Sequence, residues 1–165
     1  MILPDAVKGE ILKAAVLAPS ADNSQPWRYK WLQDSLALYR DANFSGSATD
    51  SSFVLTDLAI GCAIENAKLA AAQLGYKVCC QLFPEGEASL LSACLTFSLA
   101  EQELDASMIQ LAEQIEKRCT DRRLPFSGVL SEQTVLALTQ SINSDAVNLH
   151  CFTDRAKISA LAKTI

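Results

Sequence analysis

Apolar and polar positions alternate along the chain with two different periods. Apolar residues that recur every three or four positions predict helices. These cover Pro4–Leu17, Asp105–Lys117 and Ser131–Ser141, and a last helix runs from an Asp154 cap to Ile165. Short apolar or alternating runs predict strands. They are Trp27–Leu32, Leu36–Arg40, Lys77–Phe83, Leu90–Leu99 and Val147–Phe152. Gln33–Asp34–Ser35 forms a turn that makes the first two strands a hairpin.

The segment Phe53–Leu74 predicts the most informative helix. Its only charged residues are Asp57, Glu65 and Lys68, and Gly75 ends it. A helix that is apolar almost all round is buried in a domain centre or at a subunit interface. The three charges argue against a membrane span, where each would cost several kcal/mol. We therefore predict an α+β fold, a mainly antiparallel sheet flanked by helices, with this helix buried centrally.

Two further segments carry specific expectations. Asp41–Ser52 is small and polar, which predicts an exposed loop. In Asp105–Lys117 the apolar residues predict an inner face made of Met108, Ile109, Leu111, Ala112 and Ile115. Ser131 can act as an N-cap because its hydroxyl can accept from the first free N–H groups of a helix.

Composition and charge exclude several classes of function. The 165 residues carry 14 basic and 19 acidic side chains, a net charge of −5, which disfavours nucleic acid and anionic membranes as partners. Six cysteines include no CxxC pair, and His150 is the only histidine, so zinc and thioredoxin-like sites have no support and we expect no metal. Reduced, mostly buried cysteines and a structural His150 are the expectation. The polar start of the chain lacks a secretory signal, which favours the cytoplasm.

A polar loop follows the first helix and carries the first candidate chemistry. It reads Ala18-Pro19-Ser20-Ala21-Asp22-Asn23-Ser24-Gln25-Pro26-Trp27. Its hydroxyl and amide groups could hydrogen-bond a buried polar heterocycle or a ribityl chain. The alternative is a helix stop followed by an ordinary turn.

A basic segment carries the second candidate chemistry. It reads Arg118-Cys119-Thr120-Asp121-Arg122-Arg123-Leu124-Pro125-Phe126, the only dense basic site in an acidic chain. Guanidinium groups form bidentate hydrogen bonds with phosphate, and a threonine hydroxyl adds a donor. The alternative is a solvated helix end, where basic side chains favour the negative end of the helix dipole.

Both segments resemble the signatures of FMN-dependent nitroreductases. Pro-Ser-x-x-Asn-x-Gln-Pro-Trp after an apolar helix is similar to that family's flavin loop, which contacts FMN across a dimer interface, and this implies contacts at the ring end by Pro19, Ser20 and Ala21. Asn23 and Gln25 match as well and are expected mainly to hold the loop. The basic segment, followed by Leu130-Ser131-Glu132-Gln133, resembles the FMN phosphate segment. It implies phosphate contacts by Arg118, Thr120 and Arg122, with Arg123 in reserve. Phe53–Leu74 is similar to the helix that builds the family's dimer core.

The order of these segments departs from ordinary nitroreductases, in which the arginine segment precedes the Pro-Ser loop. This order resembles a divergent branch with two nitroreductase-like halves in one chain, some members of which sequester flavin. Residues 1–165 are then one domain or a fragment, with 1–100 as the first part and 105–165 as the possible start of a second half. A homodimer, or pairing with a missing C-terminal half, is implied.

The resemblance implies a chemistry that belongs to the flavin. NAD(P)H would deliver a hydride to FMN, and a nitroaromatic or quinone-like small molecule would take the electrons in ping-pong order, with no catalytic side chain needed. A protein that holds FMN without turnover is the second hypothesis. The third is a helical interaction fragment whose long apolar helix seeks a partner.

Overall fold

The computed structural model describes residues 3–46, 48, 50–102, 105–123, 128, 130–142 and 147–164. The chain divides into two compact units, Met1–Thr120 and Asp121–Ile165, which are described separately. The first contains α1 (Asp5–Val16), a 3₁₀ turn (Ala21–Asn23), β1 (Trp27–Leu32), β2 (Ser35–Arg40), α2 (Val54–Gln73), β3 (Tyr76–Leu82), β4 (Leu91–Leu99) and α3 (Ala106–Ala112). The second contains α4 (Glu132–Gln140) and α5 (Arg155–Leu161).

The four strands form one antiparallel sheet in the order β1-β2-β4-β3. The predicted hairpin is confirmed, and its register pairs Trp27 with Arg40 and Leu32 with Ser35. Its turn is one residue shorter than predicted, because Ser35 belongs to β2. Gln33 takes a left-handed φ of 52° there, which reverses the chain in two residues.

The core of the first unit lies between the sheet and the helices α1 and α2. Alternation along the strands turns one face of the sheet toward these helices. The fully buried side chains include Ile11 and Ala15 of α1, Leu36 and Leu38 of β2, Ala63, Ala67 and Ala71 of α2, and Ala93 and Leu95 of β4. The fold is therefore α+β, as predicted.

Helix α2 confirms the predicted bounds to within one residue but is not buried all round. Its buried residues lie on the side that faces α1 and the sheet. Val54 and Leu58 are 57% and 63% exposed, and Gly61 and Cys62 are exposed as well. Central burial is thus confirmed for the side of α2 that faces α1 and the sheet, and no described residue of the first unit packs on the outward side, where the predicted alternative of a subunit interface applies.

The prediction that the loop Asp41–Ser52 is exposed is wrong at Asp41 and Asp50 and correct at Ser51 and Ser52. Asp41 and Asp50 are only 6% and 8% exposed. Asp50 accepts hydrogen bonds from Leu55 N, at 2.8 Å, and from the backbone N and hydroxyl of Thr56, at 3.0 and 2.6 Å. Both carboxylates are buried because the chain and its side chains satisfy their oxygens.

The helix predicted over Asp105–Lys117 ends early. Regular α3 stops at Ala112, and turns continue to Lys117. Ala112 is buried, whereas Ile109 and Leu111 are 37% and 54% exposed, so the predicted inner face is only partly correct. After Ala112 the apolar positions no longer fall on one buried face of a helix.

The second unit confirms both predicted helix starts. Ser131 Oγ accepts from Thr134 N, and Asp154 accepts from Lys157 N. The strand predicted over Val147–Phe152 is wrong: these residues have no regular structure, and His150 is exposed. An alternating pattern does not form a strand without a neighbour to complete the ladder. No described residue of this unit is buried.

The expectation of buried cysteines is also wrong. Cys80 and Cys94 are half-buried, and the other four cysteines are exposed. Within the described ranges no three His, Cys, Asp or Glu side chains converge on a possible metal position. The helices in those ranges include none with the length and hydropathy that crossing a membrane requires.

Candidate cofactor site

The Pro19–Trp27 loop is held in a compact conformation by its own hydrogen bonds. Ser20 Oγ accepts from Gln25 N at 2.9 Å, and the Ser20 carbonyl accepts from Asn23 N at 3.1 Å. Asp22, Asn23 and Gln25 have φ values of 51°, 57° and 48°. Left-handed residues other than glycine are uncommon and cost energy, so Ser20 offsets that cost by closing the loop.

The groups that this loop presents are open to solvent. Pro19, Ala21, Asn23 and Gln25 are exposed, and Ser20 is half-buried. Among the described residues, the side-chain amides of Asn23 and Gln25 have no hydrogen-bond partner, so Ser20 rather than these amides holds the loop. Two amides and a constrained backbone are thereby left available for a ligand.

The helix that precedes the loop is anchored at its C-terminal end. Asn66 Nδ2 of α2 donates to the Ala14 carbonyl at 3.0 Å. The Tyr29 hydroxyl of β1 lies 3.4 Å from the Ala15 carbonyl, and burial raises the pKa of Tyr29. The same carbonyls accept from the backbone N–H groups of Leu17 and Ala18, so the two side chains add a second contact to each where α1 ends and the loop begins.

The first part of the arginine segment belongs to the same unit as the loop. Arg118 N donates to the Gln114 carbonyl, which continues the turns after α3. Arg118 and Thr120 are exposed. In the described part of the chain, neither side chain has an ion-pair or hydrogen-bond partner. The Arg118 guanidinium is thus free to bind an anion.

Arg122 and Arg123 lie in the second unit and differ from each other. Arg123 binds Asp121 through two nitrogens, with Nε at 2.9 Å from Oδ1 and Nη2 at 2.6 Å from Oδ2. This pairing raises the pKa of Arg123 and lowers that of Asp121. Arg122 is exposed and forms no ion pair with any described residue. Arg122 is therefore the more available of the two.

A small cleft of the first unit is lined by residues that shortly precede each of the two segments. It has a volume of about 250 Å³ and lies between the ends of α1, α2 and α3. Leu17, two residues before the Pro19–Trp27 loop, and Ile115, three residues before Arg118, both line it. No hydrogen bond or ion pair between described residues joins the loop directly to Arg118 or Thr120. Both segments therefore begin close to one cleft, but their polar groups form no direct contact among the described residues.

Sequence reasoning missed three residues that shape this region. Lys13 Nζ and Glu116 Oε1 lie 2.6 Å apart at the cleft, and Asn66 anchors α1 from α2. A lone amide inside an apolar helix was a signal for Asn66. Nothing in the sequence pairs Lys13 with Glu116, which are separated by 103 positions.

The chain is similar to curated proteins of Mycobacterium tuberculosis. The protein named "Putative NAD(P)H nitroreductase acg" is 30% identical over 166 aligned positions, which cover 99% of this chain and 49% of that protein. A second protein with an NAD(P)H nitroreductase name is 32% identical over 115 positions, 68% of this chain and 32% of the relative. The chain therefore spans about half the length, or less, of the curated relatives it matches. No family profile matches it.

Solved structures share the fold at low sequence identity. A nitroreductase family protein from Clostridium difficile is 17% identical with a TM-score of 0.53, covering 81% of this chain and 89% of that one. The FMN complex of a candidate nitroreductase from Desulfovibrio desulfuricans is 20% identical with a TM-score of 0.52, covering 76% and 88%. The likeness to the mycobacterial proteins and this shared fold agree, and the chain belongs to the nitroreductase-like family of oxidoreductases.

Proposed function

We propose that this chain binds FMN and, as an NAD(P)H-dependent oxidoreductase, passes electrons to nitroaromatic or quinone-like small molecules. The observation that carries the proposal is the shared cleft. Leu17 and Ile115 line it, the loop with free amides begins two residues after Leu17, and the unpaired Arg118 lies three residues after Ile115 in the same unit. The FMN in one structural neighbour and the NAD(P)H in the relatives' names support it.

The chemistry of the available groups fits the two ends of FMN. Asn23 and Gln25 offer uncharged donors and acceptors, which suit the ring edge and the ribityl hydroxyls. Pro19, Ser20 and Ala21 offer a constrained backbone beside them. Arg118 and Thr120 offer a cation and a hydroxyl, which suit a phosphate. Arg122 is proposed as a further phosphate ligand, and Arg123 only after it leaves Asp121.

The side chains act by binding and orienting. Bound FMN would supply hydride acceptance and donation, in the ping-pong order already described. The Pro19–Gln25 loop would fix the ring by backbone and amide contacts, and the arginine segment would neutralise the phosphate. No acid or base of this chain is needed for the transfer.

A second function is favoured by the length of the relatives. Because the chain spans about half of the acg protein, a complete electron-transfer site can require residues outside it. FMN would then be held without turnover. Reduction of the bound flavin by NAD(P)H separates the two functions.

A partner is part of the proposal. Exposed Val54 and Leu58 of α2 form one wall of an apolar groove of about 670 Å³, with Leu82 and Phe83 opposite. Large exposed apolar patches mark interaction sites. We propose that a second copy of this chain covers the groove in a homodimer located in the cytoplasm. The alternative occupant is a C-terminal half like that of the longer relatives.

The test of cofactor binding compares the purified chain with an Arg118→Ala/Arg122→Ala variant. Titration with FMN should give a yellow complex for the wild-type chain. The variant should bind FMN at least about tenfold more weakly, since each charged hydrogen bond is worth about 1.5–3 kcal/mol. Arg155→Ala, which removes an exposed arginine of α5, is the matched control and should bind normally.

Each outcome of this test supports or refutes one part of the proposal. Unchanged FMN affinity in the double variant would refute the phosphate assignment. Absence of any yellow complex with the wild-type chain would refute the proposed function. Bleaching of bound FMN by NADPH would support the oxidoreductase, and bound flavin that NADPH and NADH leave oxidised would support the holding function instead.

A further inference from the structure

The ion pair between Lys13 and Glu116 joins two segments that are distant in sequence. Lys13 lies in the last turn of α1, and Glu116 lies in the turns that follow α3. Their charged atoms are 2.6 Å apart. The hydrogen bond to Glu116 raises the pKa of Lys13, and the same bond lowers the pKa of Glu116. Both groups are charged at neutral pH, and the pair is a charge-assisted hydrogen bond.

The pair is one of two attachments for the segment that leads to Arg118. After buried Ala112, the described residues 113–120 are exposed except for half-buried Ile115. Ile115 lies in the cleft against Leu17 of α1 and Leu74 after α2. Among the described residues, Glu116 makes the only side-chain hydrogen bond from this segment to an element other than α3. One apolar and one ionic contact therefore set its position.

Lys13 is the only cation among the residues that line the cleft. Glu10, Glu113 and Glu116 are the charged residues around it. Loss of Lys13 would leave three carboxylates at one cleft, which repel one another. The attraction that draws Glu116 toward α1, from which the Pro19–Trp27 loop leaves, would then be lost.

We infer that Lys13 and Glu116 are positioning residues that hold the segment bearing Arg118 and Thr120 beside the end of α1, from which the Pro19–Trp27 loop leaves, so that both segments can contact one FMN. The inference rests on the proposed FMN function. Neither residue touches the flavin in this account. They set the separation between the group that binds the phosphate and the loop that binds the ring, and two rigidly placed contacts bind one ligand more tightly than two that move independently.

Comparing the affinities for FMN and riboflavin distinguishes a positioning role from a purely structural one. Riboflavin has the ring and the ribityl chain of FMN but no phosphate. Displacing Arg118 and Thr120 should therefore weaken FMN and leave riboflavin unchanged. A general loss of stability would weaken both flavins alike.

The experiment titrates the purified full chain with FMN and with riboflavin. Lys13→Glu and Glu116→Lys should each weaken FMN by about three- to tenfold, because an exposed attraction becomes a repulsion. Riboflavin affinity should not change. The double variant Lys13→Glu/Glu116→Lys restores an ion pair and should restore FMN affinity. Lys77→Glu makes the same charge change at an exposed residue of β3 and should leave both affinities unchanged.

Three results would overturn the inference alone: single variants that bind FMN normally, equal losses for both flavins, or no recovery in the double variant. A wild-type chain that binds neither flavin would instead overturn the proposed function, and the positioning role with it. A thermal unfolding curve for each variant identifies any that fail to fold. For such a variant, Lys13→Gln and Glu116→Gln replace the charge reversals and should show a smaller loss restricted to FMN.

Discussion

The guanidinium of Arg40 binds the carboxylate of Asp57 through two parallel hydrogen bonds, Nε to Oδ1 at 2.9 Å and Nη2 to Oδ2 at 2.8 Å. The Arg40 side chain is 5% exposed, and that of Asp57 is 31% exposed. Nη1 of Arg40 donates to the Glu87 carbonyl at 2.8 Å, and Phe53 lies under the guanidinium at 4.6 Å. One buried cation thus ties β2 to the start of α2 and to the loop before β4.

Removing the Asp57 carboxylate alone should destabilise the fold more than removing both charges of the Arg40–Asp57 pair. Asp57→Ala leaves a buried guanidinium without its counter-charge, and we expect the free energy of unfolding to fall by about 3–5 kcal/mol. Arg40→Met/Asp57→Leu, which replaces both charges by apolar groups, should cost less than Asp57→Ala. Urea unfolding at neutral pH measures both.

The matched control for that comparison removes Glu116 by Glu116→Ala, because its partner Lys13 then stays unpaired with a side chain that is 59% exposed. Loss of Glu116 should cost much less than loss of Asp57, because an exposed ion pair contributes little to stability. Equal costs for Asp57→Ala and Glu116→Ala would show that burial of Arg40 adds nothing to its pairing.

The Asp50 carboxylate makes the stability of the N-terminal end of α2 depend on pH. Burial opposes the charged form, but the hydrogen bonds from the Thr56 hydroxyl and from the backbone N–H groups of Leu55 and Thr56 hold the pKa of Asp50 below its usual value. A depressed pKa stabilises the fold above the pKa of the unfolded chain. That stabilisation is lost as the pH falls through the pKa of the folded state.

We therefore expect Asp50→Ala to lower the free energy of unfolding by about 1–2 kcal/mol at neutral pH, as for loss of a helix cap. The gap between wild-type and variant should narrow as the pH falls below about 4. Asp50→Asn keeps an acceptor oxygen but cannot titrate, so it should cost less and remove this pH dependence. A gap that stays constant down to acid pH would disprove the assignment.

Ser20 closes the candidate flavin loop, so its loss should affect the ring end of the ligand. Ser20→Ala removes the acceptor for Gln25 N. We expect FMN and riboflavin to bind about fivefold more weakly, since a net hydrogen bond is worth about 1 kcal/mol. Ser24→Ala in the same loop is the control, because the Ser24 hydroxyl has no partner within the described structure. A loss confined to FMN would argue against ring contact.

The outward side of α2 should control association. Leu58 is 63% exposed at the apolar groove, and a charge there would remain unpaired if another chain covered it. We expect the wild-type chain to be a dimer by light scattering and Leu58→Glu to shift it to monomer. Leu32→Glu, at a 42% exposed position on β1, should not. A dimer that survives Leu58→Glu would place the interface elsewhere.

Local pattern was enough to predict most elements of the first unit. The hairpin from Trp27 to Arg40 alternates against a single core, and α2 has a long uninterrupted apolar sequence. The caps at Ser131 and Asp154 were predictable because a cap needs only a side-chain oxygen three residues before a free N–H. These features depend on neighbours in sequence.

Features that depend on distant partners were not predictable in the same way. Asp41 and Asp50 look like residues of a solvent loop, yet Arg28, Thr56 and backbone groups satisfy them. The alternation over Val147–Phe152 suits a strand, but no strand lies beside it in the described second unit. The apolar character of cysteine suggested burial, whereas every thiol lies at least partly at the surface.

Of the candidate site, the sequence supplied the two segments and the structure supplied their relation. Ser20, Asn23 and Gln25 were identifiable from the loop motif, and Arg118 from the cluster of arginines. The role of Ser20 as the loop closure, and the engagement of Arg123 by Asp121, required coordinates. The shared cleft between Leu17 and Ile115 required them as well.

Helices α4 and α5 have no interior of their own, since neither contains a buried residue. Their backbone amide protons have no packed layer above them to slow exchange with deuterium, whereas those of α2 lie against a full core. In the chain by itself, the two helices should become labelled far sooner than α2. Slow labelling of α4 and α5 would then show that another protein surface covers them.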